Sequence, residues 1–282
     1  MIFVTTLTKD IYTICGEKLI ESFIQTGNAE EHKLYIFFEN EEDPFTEYYP
    51  SWLVKWATHP SIVIANLMTY EYKDTTAIAY VDSLLSNKIK FDHTYNSARS
   101  VKWFRPVAML MYASEILDES FSSIDADCIF ISKVSNDFFN EILQDHNIAF
   151  LGRENFKVMR HGGYDSQGNY IHTQTVPATT ADTHTETGYI GFNMTLPGTR
   201  EFIKNNFEYW TSGKVLDLEY KTDCHTFDAV RRELPLKYNN LCNSMGDTSP
   251  VGSRVIEASC LGPFLIHHKG TIGPTLYAKN KL

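Results

Sequence analysis

Two carboxylates, Asp125 and Asp127, lie two residues apart in the apolar, β-prone run of residues 122–131. In an extended backbone, residues i and i+2 point to the same side, so both carboxylates are expected to face one point while Ala126 points away. Two converging carboxylates suit a hard divalent cation such as Mn²⁺ or Mg²⁺. Because aspartate is also common in turns at strand ends, the spacing alone leaves a polar turn open.

A cluster of basic residues precedes this run. Arg99, Lys102 and Arg105 stand at the start of residues 101–117, where apolar residues recur every three or four positions. That spacing predicts a helix that leads directly to the aspartates. Pro106 suits an early helical position, because its missing N–H has no partner there. The cations form either a solvated helix end or a contact to phosphate, since arginine suits oxyanions.

Composition and charge limit the classes of function. The 282 residues include 35 acidic and 25 basic ones, a net charge of −10, which argues against a generic nucleic-acid-binding surface but leaves a local basic groove open. No apolar run is long enough for a membrane span, and the N-terminus lacks the basic start of a signal peptide. The five cysteines lack C-x-x-C spacing. A reduced, cytoplasmic protein is therefore predicted, bacterial or, if phage-encoded, in the host cytoplasm.

Strand-like and helix-like segments alternate along the chain. Strands are predicted at residues 2–7, 33–38, 61–67, 122–131, 148–151 and 186–194. Helices are predicted at residues 12–23, 101–117, 138–143, 202–210 and 222–234. This order indicates an α/β fold with a mostly parallel central sheet flanked by helices. Residues 156–187 show no period and are rich in glycine and threonine, which predicts a lid, a binding loop or disorder.

Four short blocks, in this order, resemble nucleotide-sugar-dependent glycosyltransferases of the GT-A fold. They are IDAD at 124–127, ETGYIGFN at 186–193, TDCHTFD at 222–228 and HHKG at 267–270. The chain is most similar to glycosyltransferase family eight and its phage and bacterial relatives. The order and spacing of the blocks are more specific than any one of them.

The resemblance implies roles for the matched positions. Asp125 and Asp127 would hold Mn²⁺ or Mg²⁺, which bridges the diphosphate of a nucleotide sugar, most simply a UDP-sugar. His267 would complete the metal shell, with His268 as the alternative in the doublet. Asp223 would lie near the sugar. The remaining expected site residues are catalytic Glu186 and, for donor binding, Thr5, Thr6, Arg99, Lys102, Arg105, Ala126, Lys269 and Gly270.

The resemblance also implies how the chain is organised. It predicts a single domain over residues 1–282, with a nucleotide-binding half at 1–127 and an acceptor-binding half at 128–282. The second half would include loop 156–187, expected to be mobile without ligand, and a C-terminal tail that closes over the diphosphate. The transfer would retain anomeric configuration. Because metal binding needs a neutral imidazole, activity should fall as the pH drops through about 6.5.

Three function classes stay open at this stage. The first is a metal-dependent hexosyl- or pentosyltransferase that acts on a glycan, a lipid-linked sugar or a small molecule. The second is a phage-type enzyme that glycosylates hydroxymethylated bases of DNA, which would require a basic groove within this acidic chain. The third is a non-catalytic binding protein of the same fold, against which the paired aspartates and the late histidine argue.

Overall fold

The structure is a computed structural model. It describes residues 1–39, 48–71, 74, 77, 79–80, 83, 97–153, 158–164, 170–177, 184–218, 222–242 and 255–267.

Strands and helices alternate through the first half of the chain. In order they are β1 (Ile2–Leu7), α1 (Lys9–Ile11), a π-helical turn (Tyr12–Gly16), α2 (Glu17–Gln25), β2 (Lys33–Phe38), β3 (Ile62–Asn66), α3 (Leu67–Glu71), α4 (Ser97–Ile116), β4 (Phe121–Ile124), β5 (Cys128–Phe130) and α5 (Asn136–Leu143). The hydroxyl oxygen of Thr8 accepts the Ile11 N–H and caps the first helix, and Ser135 caps α5 in the same way.

The second half is richer in strands. In order its elements are β6 (Ile148–Arg153), β7 (Val158–Tyr164), β8 (Tyr170–Pro177), β9 (His184–Phe192), α6 (Thr199–Thr211), α7 (Asp223–Glu233), β10 (Tyr238–Asn240), α8 (Val255–Ala258) and β11 (Leu265–His267). Short 3₁₀ turns lie at Asn28–Glu30, Val54–Trp56 and Lys214–Asp217.

Seven strands form the central sheet, in the order β10-β6-β9-β4-β1-β2-β3. All neighbouring pairs are parallel except those of β9, which runs antiparallel to both β4 and β6. Two smaller sheets are antiparallel pairs, β5 with β11 and β7 with β8. The predicted α/β fold, with a mostly parallel sheet flanked by helices, is confirmed.

Each face of the central sheet buries its own apolar cluster. Along β1, Ile2 and Val4 join one cluster while Phe3 and Leu7 join the other, because successive side chains of a strand point to opposite faces. Helices α4, α6 and α7 cover the first face, and α2 and α5 cover the second. Coverage on both faces explains why β1 and β2 are apolar almost throughout.

Two sequence predictions about these elements were wrong. Pro106 does not stand early in its helix, because α4 begins at Ser97 and encloses it. The helix continues past Pro106, which lacks a backbone N–H, because the residues that follow it, such as Val107 and Ala108, are buried in the core. Residues 156–187 are not a loop throughout, because β7 and β8 pair within them and β9 begins at His184. Their β-branched and aromatic residues favour strands, although the glycines among them suggested a loop.

No helix within the described residues is long and apolar enough to cross a membrane.

Candidate metal centre

The two aspartates lie in a tight turn at the carboxyl end of β4. The Asp125 N–H donates to the Gly188 carbonyl at 3.1 Å, and the Cys128 N–H donates to the Asp125 carbonyl at 3.1 Å. The second bond closes a four-residue turn between β4 and β5. The continuous strand predicted for residues 122–131 is therefore wrong, since the chain leaves the central sheet at Asp125 and enters the small one at Cys128.

Both carboxylates nevertheless face the imidazole of His267. Its Nε2 lies 3.0 Å from Asp127 Oδ1 and 3.5 Å from Asp125 Oδ2. The imidazole is 1% exposed, whereas the side chains of Asp125 and Asp127 are 38% and 21% exposed. Ala126 packs against the core cluster behind the turn. The buried imidazole nitrogen of His267 thus lies beside two carboxylates that a ligand can reach from solvent.

Strand pairing brings His267 to the aspartates. In the antiparallel pair of β11 and β5, His267 stands directly opposite Cys128, the residue that follows Asp127. The His267 N–H also donates to Glu257 Oε1 at 3.0 Å, which ties β11 to α8. The backbone of this histidine is therefore held by a strand on one side and by a carboxylate on the other.

Gly188 leaves the space that the imidazole fills. A Cβ added at Gly188 would lie 2.8 Å from Cε1 and 3.1 Å from Nδ1 of His267. The glycine sits in an irregular stretch of β9, because the register with β6 shifts between Ile190 and Glu186 and leaves residues 187–189 outside that ladder. Bulges of this kind occur next to active sites, where they re-aim a strand.

The donor set fits a divalent cation. Ligand atoms of Asp127, Cys128 and His267 all lie within 4.8 Å of one another. The buried Nε2 of His267 makes no hydrogen bond of good geometry with a described residue, although it stands at ion-pair distance from both aspartates. Two carboxylates and an imidazole suit Mn²⁺ or Zn²⁺ in coordination chemistry.

The electrostatics of the cluster depend on the imidazole. Burial alone would lower the pKa of His267, but the neighbouring Asp125 and Asp127 carboxylates raise it to about 10. Burial, and to a smaller extent the same two carboxylates, raise the pKa of the Cys15 thiol to about 12. Without metal, therefore, an imidazolium occupies the place between the carboxylates that a cation would otherwise take.

This arrangement predicts that the metal-free protein loses stability as the pH rises from about 6.5 to about 10. The pKa of His267 is about 10 in the fold, above its ordinary value of 6.5. The stabilisation is therefore complete below the ordinary value and is lost as the pH rises through the folded one. Thermal unfolding in EDTA across this pH range should show the decline, and His267→Gln should flatten it. Parallel profiles for the two proteins would contradict the assignment.

The pH range over which metal affinity is expected to change is therefore higher than the range expected from the sequence. A metal ion must displace the imidazole proton, so metal affinity should rise with pH up to about 10 rather than level off above about 6.5.

A second polar group adjoins the centre through β9. The Thr187 hydroxyl donates to Asp223 Oδ2 at 2.8 Å, at the start of α7, and lies 3.3 Å from the Cys224 sulfur. Glu186, the preceding residue, is 5% exposed. Of the two expected catalytic carboxylates, Glu186 therefore lies in β9 two residues before Gly188, and Asp223 is hydrogen-bonded to the residue just before Gly188.

Asp228, in the same block as Asp223, has a structural role. Its carboxylate accepts the Thr185 N–H at 3.0 Å and the Thr185 hydroxyl at 2.5 Å. It also lies 3.4 Å from the Arg231 side chain. These buried contacts fasten α7 to β9.

The residues expected to contact a nucleotide differ in their burial and in their partners. Thr5 is fully buried in β1, and its hydroxyl makes no hydrogen bond to any residue that the structure describes, while Thr6 is half-buried. Arg105 Nη1 lies 2.7 Å from Glu39 Oε2, and both side chains are buried. A phosphate contact by Arg105 would therefore compete with Glu39.

The other donor-binding predictions concern residues of which less is described. Arg99 and Lys102 lie within α4, but their side chains are outside the described part of the structure. His268, Lys269, Gly270 and the tail after them are also outside it.

Three residues of the centre were not among the predicted site residues, namely Cys128, Gly188 and Glu257. Glycine within a strand signals a close approach by another group, so Gly188 carried a detectable signal without naming its neighbour. Cys128 and Glu257 carried none, because their contacts depend on the pairing of β5 with β11.

Comparisons with known proteins show a fold. No profile of a known protein family matches the chain, and no curated protein does. The apo structure of the bifunctional glycosyltransferase WbbM is similar, with a TM-score of 0.55 and 12% identity over 95% of this chain and 45% of that one. This chain thus spans less than half of WbbM.

Two further solved structures are also similar. Mouse xyloside xylosyltransferase 1, in its apo form, has a TM-score of 0.47 and 13% identity over 85% of this chain and 84% of that one. The glycosyltransferase GlyE of Streptococcus pneumoniae TIGR4 has a TM-score of 0.47 and 12% identity over 85% and 44%. The similarity to WbbM shows the fold, which is that of a GT-A glycosyltransferase, whereas the resemblance to family eight stays a prediction.

Proposed function

We propose that this chain is a metal-dependent glycosyltransferase that transfers a sugar from a nucleotide sugar, most simply a UDP-sugar, to a glycan, a lipid-linked sugar or a small molecule. The observation that carries the proposal is the convergence of Asp125, Asp127 and His267 at the carboxyl end of β4, in a sheet of the glycosyltransferase type. In open α/β sheets, ligands bind beyond the carboxyl ends of the strands.

Different residues of the chain would hold the metal ion and, through it, the donor. Asp125 and Asp127 offer oxygen ligands that are partly open to solvent, and His267 offers a buried nitrogen once it has lost its proton. A Mn²⁺ or Mg²⁺ ion held there would stabilise the charge that develops on the diphosphate leaving group. The burial of His267 fixes its direction, which keeps the three ligands preorganised.

The basic residues would complement the diphosphate. We assign donor contacts to Arg99, Lys102, Arg105, Lys269 and Gly270, and further contacts to Thr5 and Thr6. Support differs among them: Arg105 carries a fixed charge but is paired with Glu39, and Thr5 has a buried hydroxyl without a described partner. An unpaired buried hydroxyl costs free energy, which a hydrogen bond to a ligand would offset.

Asp223 and Glu186 would act on the sugar and the acceptor. The Thr187 hydroxyl fixes the orientation of the Asp223 carboxylate through its 2.8 Å hydrogen bond. Thr187 adjoins Gly188, which contacts the imidazole, so the residues that contact Asp223 and His267 are neighbours in β9. By resemblance the transfer retains configuration, and the cysteine pattern continues to predict a reducing compartment.

A thermal-shift screen of nucleotide sugars with and without Mn²⁺ tests the proposal. A ligand that binds the native state alone stabilises it, by about 2.7 kcal/mol at about 100 times its Kd. We expect a UDP-sugar and UDP to raise Tm in the presence of Mn²⁺, and the shift to disappear in EDTA. Uridine without phosphates is the matched control and should give no Mn²⁺-dependent shift. If no nucleotide sugar shifts Tm in either condition, the proposal fails.

A further inference from the structure

Cys128 places a thiol beside the proposed metal ligands. It stands opposite His267 in the pairing of β5 and β11, and directly opposed residues of an antiparallel pair point to the same face. Its sulfur, the Asp127 carboxylate and the His267 imidazole have ligand atoms within 4.8 Å of one another. The thiol is fully buried, and it donates to the Gly188 carbonyl at 3.7 Å.

A second observation indicates that a cation belongs there. The His267 imidazole is 1% exposed, and its Nε2 points into the same cluster. It lies at ion-pair distance from Asp125 and Asp127 but makes no hydrogen bond of good geometry with a described residue. Gly188 leaves room for the ring, and Glu257 holds its backbone. These contacts hold the histidine so that its Nε2 faces the cluster.

The three donors differ in chemical preference from two carboxylates alone. Thiolate and imidazole select borderline and soft cations such as Zn²⁺, whereas carboxylates suit Mn²⁺ and Mg²⁺. One carboxylate, one thiolate and one imidazole make three protein ligands, the number found in catalytic zinc sites, and the Asp125 carboxylate also lies 3.5 Å from His267 Nε2. The cluster therefore offers two overlapping donor sets, and His267 and Asp127 belong to both.

We propose that Asp127, Cys128 and His267 form a site for a thiophilic divalent cation of the Zn²⁺ class, which excludes Mn²⁺ from the same place. On binding, the S–H bond of Cys128 and the Nε2–H bond of the His267 imidazolium break, and sulfur–metal and nitrogen–metal bonds form. Both protons pass to the buffer, because a coordinating thiol is deprotonated and a coordinating imidazole is neutral. No oxidant takes part. The proposal concerns the cluster of the proposed function but needs no nucleotide sugar.

Cobalt(II) supplies a direct readout, because its bond to a thiolate gives a charge-transfer band in the near ultraviolet that oxygen and nitrogen ligands do not give. Metal-free full-length protein is titrated with Co²⁺, and Zn²⁺ is then added. We expect the band to appear and Zn²⁺ to abolish it. Cys128→Ser should remove the band and weaken Zn²⁺ binding by at least about 10-fold. A wild-type protein without the band would overturn the proposal.

Control variants separate Cys128 from the other thiols. Cys15→Ser changes a second thiol near the two carboxylates, and Cys260→Ser changes an exposed one, so both should keep the band. Cys128→Ala, which adds no polar group to the core, should behave like Cys128→Ser, and circular dichroism reports whether either variant folds. A band that persists in a folded Cys128 variant would overturn the proposal, as would its loss in Cys15→Ser alone.

A competition experiment distinguishes this proposal from the proposed function. In wild-type protein, Zn²⁺ should suppress Mn²⁺-dependent UDP binding, and Cys128→Ser should need more Zn²⁺ for the same suppression. If UDP does not bind at all, the glycosyltransferase proposal fails while the Co²⁺ result stands. If UDP binds with Mn²⁺ but wild-type protein gives no band, the thiophilic site fails alone.

Discussion

Replacing Asp127 with alanine should weaken Mn²⁺-dependent UDP binding by more than about 100-fold, because loss of a residue that only orients a metal ligand already costs about 10- to 100-fold. Asp125→Ala should have a similar effect. Each substitution removes a carboxylate that faces His267, at 3.0 Å for Asp127 and 3.5 Å for Asp125. Both side chains are partly exposed, so the fold should survive. Isothermal titration of UDP in the presence and absence of Mn²⁺ measures the effect.

Asp145→Ala is a matched control for the aspartate variants. Asp145 is an exposed carboxylate in a turn, so its loss changes the net charge equally without touching the cluster. Its UDP affinity should equal that of wild-type protein. Unchanged Mn²⁺-dependent binding in both Asp125→Ala and Asp127→Ala would remove these residues from the metal site.

Gly188→Ala should weaken the same binding by about 10- to 100-fold, the range found for residues that orient metal ligands. The added methyl group would lie 2.8 Å from His267 Cε1, closer than carbon atoms approach, so the imidazole must move. Gly188 is not itself one of the proposed metal ligands. Its effect should therefore appear in Mn²⁺-dependent UDP binding and be absent from any binding measured in EDTA.

Gly191→Ala provides the control within the same strand. A Cβ there would lie 3.2 Å from Leu143 and 3.3 Å from the Tyr189 hydroxyl, away from the imidazole. Some loss of Tm is expected without a change in metal affinity. Equal metal affinities for Gly188→Ala and wild-type protein would show that the ring is not where the structure places it.

Local pattern was sufficient to predict most of the fold. Continuous apolar runs marked β1, β2 and β3, and spacings of three and four marked α5, α6 and α7. These signals work because burial against a sheet or a helix imposes its own period on the residues. The paired aspartates could likewise be singled out from their spacing, although they converge through a turn and not through an extended strand.

The geometry of the centre could not be read from local pattern. His267 meets Asp127 because β11 pairs with β5, and this pairing joins segments that are far apart in sequence. The partner of Arg105 is Glu39, which no spacing rule connects to it. Pro106 followed a rule for helix starts, but the start itself lay further upstream. Contacts of this kind are decided by tertiary packing, which propensity does not encode.

The most direct measurement is the position of Mn²⁺ in a crystal of the protein with Mn²⁺ and UDP, located by anomalous scattering. The account predicts one peak in contact with Asp125, Asp127 and His267 Nε2 and with the diphosphate of UDP. His267→Ala should lose the peak or weaken it at the same Mn²⁺ concentration. A Mn²⁺ peak at another place, or UDP at full occupancy with no metal at this cluster, would contradict the account.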